Sequence, residues 1–460
     1  MKKSYLMLLL VAMFTLVACD FNESQVEIGT TEVGQEAIVG GKVPFARALS
    51  NADFVFKNIE SLNHKQRKVK SVDVLTKSKT NSRISRTSLQ DEQEAPLAYV
   101  VNYENNEGFA ILAADTKLPP VISIGDEGNF NTEGFIEFTG NCGNTRSRTE
   151  SELNPAQEIQ YALVNNSLLL PQMDFDDLPM IGSDTTVMLK CLPLVTTKWG
   201  QRDPYNYYAT PTGNLNGIKF VAGSMPVAGA QTLASLCYHH NWRPTTQLSE
   251  EYLVDWDVIN RMIYADTYLF LPGNRSAEAL AVASLIRAVG EDIDADYGLS
   301  VTLAEIESLI TTFQRLGMNS ISIRNDNPNL SAIDSEVFNM IVVKNCPVVT
   351  SAVNSATNSS GNEWGFIIDG LLRLEYSLLF GNSEDITPDI RSSLDNVQYN
   401  FDLVHINLGN LGQCDGYYLP GAFDLTEDKY REYAEEHDTE SASSSVLDLN
   451  VKYLTYSLTY

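Results

Sequence analysis

Between about residue 188 and residue 424 the hydrophobic pattern changes period, and that change limits what the chain can become. In the first half of the span apolar residues recur at helical spacing. One helix begins near Ser224 and continues through Gln231 to Tyr238, and others are expected over Glu251 to Tyr268, Ser276 to Val289 and Thr302 to Leu316. In the last of these, Leu303, Ile306, Ile310 and Phe313 fall in helical period. In the second half short strand-like runs take over: Pro347 to Val353, Trp364 to Ile368, Val404 to Asn407 and Tyr417 to Leu419. Helices first and strands later point to an α+β domain.

With 460 residues, 43% of them hydrophobic, the chain can bury a substantial core, and its length suggests two or three domains. Residues 1–18 read as a signal peptide: Lys2 and Lys3 precede an apolar run from Tyr5 to Ala18 that is too short to span a membrane as a helix. The run ends Leu16-Val17-Ala18-Cys19, which resembles a bacterial lipobox. That resemblance makes Cys19 the first mature residue and the lipid carrier; the alternative is an ordinary signal peptide that contains a cysteine. The chain is therefore expected to be exported and lipid-anchored in a bacterial cell envelope, at the outer membrane or cell surface. No later stretch reaches eighteen apolar residues, so the membrane is expected to hold it through this N-terminus alone.

Residues 19–40 read as a polar tether and 41–145 as a first folded unit. That unit opens with a helical pattern from Phe45 to Ile59 and passes through a basic, Ser-rich stretch from Lys65 to Arg86. Strands follow at Leu97 to Tyr103 and Gly108 to Ala113, joined by a turn at Glu104 to Glu107. Residues 146–187, starting Arg146-Ser147-Arg148, read as a connector, 188–424 as the larger unit, and 425–460 as an acidic C-terminal extension. The extension closes in a strand-like alternation, Val451 to Leu458.

The 32 basic residues against 59 acidic ones give a formal charge of −27, which argues against nucleic acid as a partner. Phosphate-binding glycine loops, zinc-protease helices and serine-hydrolase elbows have no match here. Asp292, Asp294 and Asp296 have the spacing of a calcium loop, but Tyr297 and Leu303 stand where that loop needs glycine and glutamate. Beyond Cys19, the cysteines Cys142, Cys191, Cys237, Cys346 and Cys414 are scattered and odd in number, supporting neither a disulfide framework nor a metal site. No cofactor is expected.

Four segments carry chemistry by resemblance. Thr196-Thr197-Lys198-Trp199-Gly200-Gln201, followed by Pro204-Tyr205-Asn206, is the first, and Gly223 to Gln231, reading GSMPVAGAQ, the second. Gly361 to Gly370 reads GNEWGFIIDG, and His405 to Gly416 reads HINLGNLGQCDG. In this order they resemble the streptopain family of papain-like cysteine peptidases, and Pro96 to Phe130 resembles that family's pro-domain hairpin. The resemblance implies a papain-like fold of two subdomains, a helical part and an antiparallel sheet, preceded by an α+β pro-domain of inhibitor type. It places Gln201 at the oxyanion position, Ser224 at the nucleophile, Trp364 at the general base and Asn407 at the residue that orients the base. Leu408 and Asn410 stand where the family has tryptophans.

The nucleophile and base positions thus hold neither thiol nor imidazole. An unassisted serine hydroxyl is a poor nucleophile, and indole has no basic nitrogen. His64 and His437 fall outside the expected core, and His405 matches a histidine the family also has. His239 and His240 end the Ser224 helix, roughly 24 Å away at 1.5 Å per residue, and are expected to supply a charge at its C-terminus or plain surface. Two function classes follow. One is a silent envelope lipoprotein that acts as a binding, regulatory or inhibitory module toward a polypeptide or an active streptopain-like peptidase. The other is a secreted peptidase working through Ser224 or rearranged residues. In the silent case no self-cleavage at the connector is expected. Replacing Cys19 with alanine should move the protein from the membrane to the soluble fraction of a fractionated host; unchanged retention would refute the anchor.

Overall fold

The computed structural model describes residues 41–60, 65–78, 83–87, 95–116, 118–141, 155–169, 180–211, 217–244, 246–264, 270–325, 333–354, 363–380, 398–420 and 449–458. Cys19, the expected signal peptide and tether, His64, Cys142, Arg146 to Arg148 and His437 lie outside these residues. The helices are α1 (Phe45–Ile59), α2 (Thr132–Asn141), α3 (Pro155–Leu169), α4 (Ser224–His239), α5 (Trp256–Tyr264), α6 (Ala277–Asp292), α7 (Ser308–Arg315) and the one-turn α8 (Ser335–Phe338). The strands begin with β1 (Val69–Ser78), β2 (Arg83–Thr87), β3 (Pro96–Tyr103), β4 (Phe109–Ala113), β5 (Val121–Gly125) and β6 (Met180–Cys191). They continue with β7 (Met318–Asn325), β8 (Val348–Asn354), β9 (Trp364–Phe380), β10 (Gln398–Asn407), β11 (Gly416–Tyr418) and β12 (Leu449–Leu458).

Several elements follow directly from the pattern. α1 keeps its expected ends and buries Ala48, Ala52, Val55 and Phe56, one stripe of the helix. The turn after β3 puts Asn105 and Asn106 at φ 57° and 63°, a left-handed conformation that asparagine tolerates. Elsewhere local hydrogen bonds override periodicity. α5 starts at Trp256 rather than Glu251, because Ser249 Oγ accepts from the Glu251 and Tyr252 amides and Asp255 caps Val258 N. α7 starts at Ser308 rather than Thr302, because Leu303 pairs with Asp296 and Thr302 Oγ1 donates to Val221 O.

All twelve strands among the described residues join one antiparallel sheet, ordered β2-β1-β3-β4-β5-β11-β10-β9-β8-β12-β7, with β6 set against β9. The long β9 changes neighbour along its length: Trp364 to Ile368 pair with β8, and Leu371 to Phe380 pair with β6. The seam between the first unit and the larger one is a strand pair, Ser123, Ile124 and Gly125 of β5 opposite Tyr418, Tyr417 and Gly416 of β11.

This sheet runs through two of the boundaries drawn from sequence. The stretch expected as a connector, 146–187, carries α3 and most of β6, so the boundary at 187 falls inside a strand. The boundary at 424 cuts β12 from the strands on either side of it, because β12 lies between β8 and β7. The basic stretch at 65–86 also forms strands, with β1 paired to β3 by Val72↔Val101 and Val74↔Tyr99. Among the described residues no helix is long and apolar enough to cross a membrane.

β12 should therefore behave as core. Leu454 is fully buried between two strands, and Leu454→Ala should cost about 2–5 kcal/mol by urea denaturation. A cost below 0.5 kcal/mol would contradict this placement.

Candidate functional site

The chain enters α4 through Gly223 at φ +95°, where an added Cβ would lie 2.9 Å from Thr302 Cγ2. Only glycine combines that conformation with that contact. Ser224 follows as the first helical residue and is 4% exposed. Pro226 sits in the first turn, where helix N–H groups have no intrahelical partner to lose.

Ser224 Oγ accepts a hydrogen bond of 2.9 Å from the backbone N–H of Gly365, the second residue of β9. This contact needs an unusually close approach of helix and strand. A Cβ on Gly365 would lie 2.7 Å from Met225 Cα and 2.9 Å from Met225 N, and both atoms are backbone that cannot swing aside. Ser224 thus lies against the strand backbone one residue after Trp364, which is 140 positions away in sequence. The Trp364 indole is half-buried, and its buried Nε1 has no hydrogen-bond partner.

Gln201 and Asn407 converge on the same region through the backbone. Gln201 O accepts from Ala222 N at 2.9 Å, two residues before Ser224. Asn407, 2% exposed, donates from Nδ2 to Thr197 O (2.9 Å), and its Oδ1 accepts from Gln231 Nε2 and Gly409 N (both 3.0 Å). Gln231 in turn accepts from Thr197 Oγ1 (2.9 Å) and Trp199 N (3.2 Å). Asn407 and Gln231 therefore clamp the segment that carries Gln201, and none of these bonds reaches Trp364.

No described histidine bonds Ser224. His405 is 3% exposed; its Nδ1 donates to Asp369 Oδ1 (2.6 Å) and its Nε2 to Asp126 Oδ2 (2.9 Å). Burial alone would lower its pKa, but Asp369 and then Asp126 override that and hold the ring charged. His239 does not supply the expected charge at the end of α4. Its Nε2 faces Leu194 O at 2.8 Å, and burial lowers its pKa, so it stays neutral at pH 7. His239 is nonetheless exposed as a residue, whereas His240 is half-buried: its Nε2 lies 2.8 Å from Asn345 O and 3.5 Å from Cys346 Sγ. That Cys–His contact holds no thiolate, because burial pushes the Cys346 thiol up to about 12 against the opposing charge of Lys344.

Four residues of the site carry no weight in the sequence reading. Gln231 closes the GSMPVAGAQ segment seven positions after Ser224, a spacing that returns to the same helix face. Asp415, whose Oδ1 accepts from Leu408 N at 2.8 Å, precedes the final glycine of the fourth segment. Gly365 could be read only as a small residue beside Trp364. Asp126 has no local signal, because its partner His405 is 279 positions away.

This arrangement, a buried hydroxyl opening a helix opposite an antiparallel sheet with a glutamine-bearing segment clamped alongside, defines a papain-like scaffold. The Peptidase C10 family model matches residues 199–418, and the Spi protease inhibitor model matches residues 47–138. The chain belongs to the peptidase C10 family, the streptopain family, and carries an N-terminal Spi-type pro-domain. Among solved structures it is similar to a mutant fragment of Prevotella intermedia prointerpain A, at 16% identity and a TM-score of 0.44, over 84% of this chain and 99% of that one. It is also similar to active wild-type Prevotella intermedia interpain A cysteine protease, at 19% identity and a TM-score of 0.37, over 58% of this chain and 95% of that one. No curated protein matches the sequence.

Gly365→Ala should force β9 away from α4 and destabilise the protein by about 1–3 kcal/mol in chemical denaturation. Unchanged stability would mean that the close approach is not required.

Proposed function

We propose that this chain is a lipid-anchored cell-envelope member of the C10 family in which the peptidase scaffold serves as a binding or regulatory module rather than a catalyst. The hydrogen bond from Gly365 N to Ser224 Oγ carries the reading. A general base must accept the hydroxyl proton, whereas the group placed against Ser224 is a donor. The Trp364 indole, carried by the residue before Gly365, has no basic nitrogen with which to take a proton either. A hydrolase working through Ser224 finds no support in these contacts. Rearranged chemistry through Cys346 and His240 finds none in a thiol held protonated by burial.

The Spi protease inhibitor match over residues 47–138 supports an inhibitory variant, in which this unit acts on an active streptopain-like peptidase. Export and anchoring rest on the Leu16 to Cys19 pattern.

The test assays the mature chain on denatured casein beside its Ser224→Cys, Trp364→His double variant. The parent is expected to show no turnover above background. Turnover that disappears in Ser224→Ala would overturn the silent reading and establish the hydrolase.

A further inference from the structure

Asp126 follows β5 in the first unit, whereas His405, Asp369 and Asp415 belong to the larger unit. His405 lies between Asp369 Oδ1 at 2.6 Å and Asp126 Oδ2 at 2.9 Å, and Asp126 N donates to Asp415 O at 3.1 Å. The strand pairing that joins the two units covers only three residue pairs, and these contacts lie directly beside it, with Lys198–Glu127 and the Lys190 Nζ to Asn58 O bond as further links between the units. A cavity of about 140 Å³, bounded in part by Asp126, His405, Asn407 and Asp415, leaves room for water beside the cluster.

We propose that the Asp126–His405 contact is a proton-dependent latch, which holds the N-terminal unit on the β11 edge at acid to neutral pH and lets the β5–β11 seam open as pH rises. The inference does not depend on whether Ser224 is silent.

The groups facing the imidazole all bear on its charge. Asp369 comes from β9, Asp126 from the end of β5, and Asp415 from the approach to β11. Tyr417 packs edge-on at 5.0 Å, and burial raises its pKa far enough that it stays neutral. The Lys198–Glu127 ion pair (2.5 Å) borders the same cavity, and the neutral His239 senses Asp369 from behind. Burial raises Asp415 to about 7; the Leu408 N–H and His405 oppose that, and Asp126 and Asp369 add to it.

Both shifts have the same sign. Opening the seam takes Asp126 from His405 but leaves Asp369, so the latch contributes only the part of the histidine's rise that Asp126 supplies; that contribution is complete below the open-state pKa and is lost as pH climbs through the joined-state value. A carboxyl raised to about 7 ionises in the joined state only near neutrality, where a third negative charge enters the cluster. The joined state therefore binds more protons than the open one, and acid tightens the seam.

Hydrogen exchange on the full chain tests this. Protection of peptides covering Val121 to Gly125 and Gly416 to Tyr418 is compared, after correction for intrinsic rates, with a reference peptide inside α4 from pH 6 to 9. Relative protection at the seam is expected to fall, by up to about tenfold per pH unit for each proton released. Asp126→Asn should be weakly protected at pH 6 with no such slope. Lys198→Met, which removes the neighbouring ion pair, should keep the slope. A flat wild-type profile, or the same slope in Asp126→Asn, would overturn the latch. Should Asp126→Asn not fold, the imidazole ¹⁵N resonances of wild-type His405 decide: they should titrate over the range in which seam protection is lost. A ring that stays protonated throughout that range refutes the proposal.

Discussion

The carboxylate of Asp369 is fully buried, and much of the site hangs on it. Burying a charge is expensive unless hydrogen bonds and an opposite charge compensate. Here Oδ2 accepts from Val195 N (2.8 Å) and Oδ1 from His405 Nδ1, while the main-chain carbonyl accepts from Leu194 N (3.0 Å). Three elements converge on this one residue: β9 that carries it, β10 that carries His405, and the segment that leads from Leu194 to Gln201. Removing one member of such a set strands the charge of the others, so the arrangement resists piecemeal change. The same histidine reaches Asp126, so the constraint that shapes the cleft also extends to the N-terminal unit.

Within the cleft, residues that hold backbone in place and residues that would move protons part company. Gln231, Asn407 and Asp369 do positional work here: each bonds the 194–201 segment directly. The positions that the family resemblance assigns to nucleophile and base, by contrast, hold Ser224 and Trp364. At Ser224 and Gly365, α4 closes directly on β9. With a backbone N–H directed at Ser224 Oγ and no Cβ on Gly365, the space between helix and strand is smaller than any other residue at 365 would permit. On the proposed reading, restoring a thiol and an imidazole addresses the chemistry, while Gly365 still sets how closely the two elements approach.

The helices were largely legible, because an amphipathic stripe is a local property: α1 and α4 begin where the pattern places them. Their misjudged neighbours failed for reasons a hydrophobic period does not contain. Ser249, Asp255 and Thr302 use side-chain hydrogen bonds to hold backbone outside the helix. Strands were harder to read. β1, β2, β6 and β7 are polar or mixed, and their existence depends on partners far along the chain, such as Val187 of β6 opposite Leu374 of β9. The four expected site positions were open to naming from sequence, by resemblance, because each lies in a segment with its own local signature. Gly365 was not, since its meaning appears only when Met225 is packed against it. Asp126 was not either, since a carboxylate after a strand is ordinary until its partner is known.

The continuous sheet also constrains what the N-terminal unit can do. A strand edge is a template for pairing with another chain, and proteins either cover such edges or use them for recognition. The β5 edge is covered from within, by β11 of the same chain, while its other side is taken by β4. While that pairing stands, the unit that resembles a protease inhibitor cannot offer β5 to a separate peptidase. An inhibitory role in trans would therefore have to use another face of residues 47–138, or wait for the seam to open. On the proposed latch, the balance between those states depends on the polar contacts beside the three-residue strand pairing, and of the two ion pairs there Asp126 with His405 is the more deeply buried.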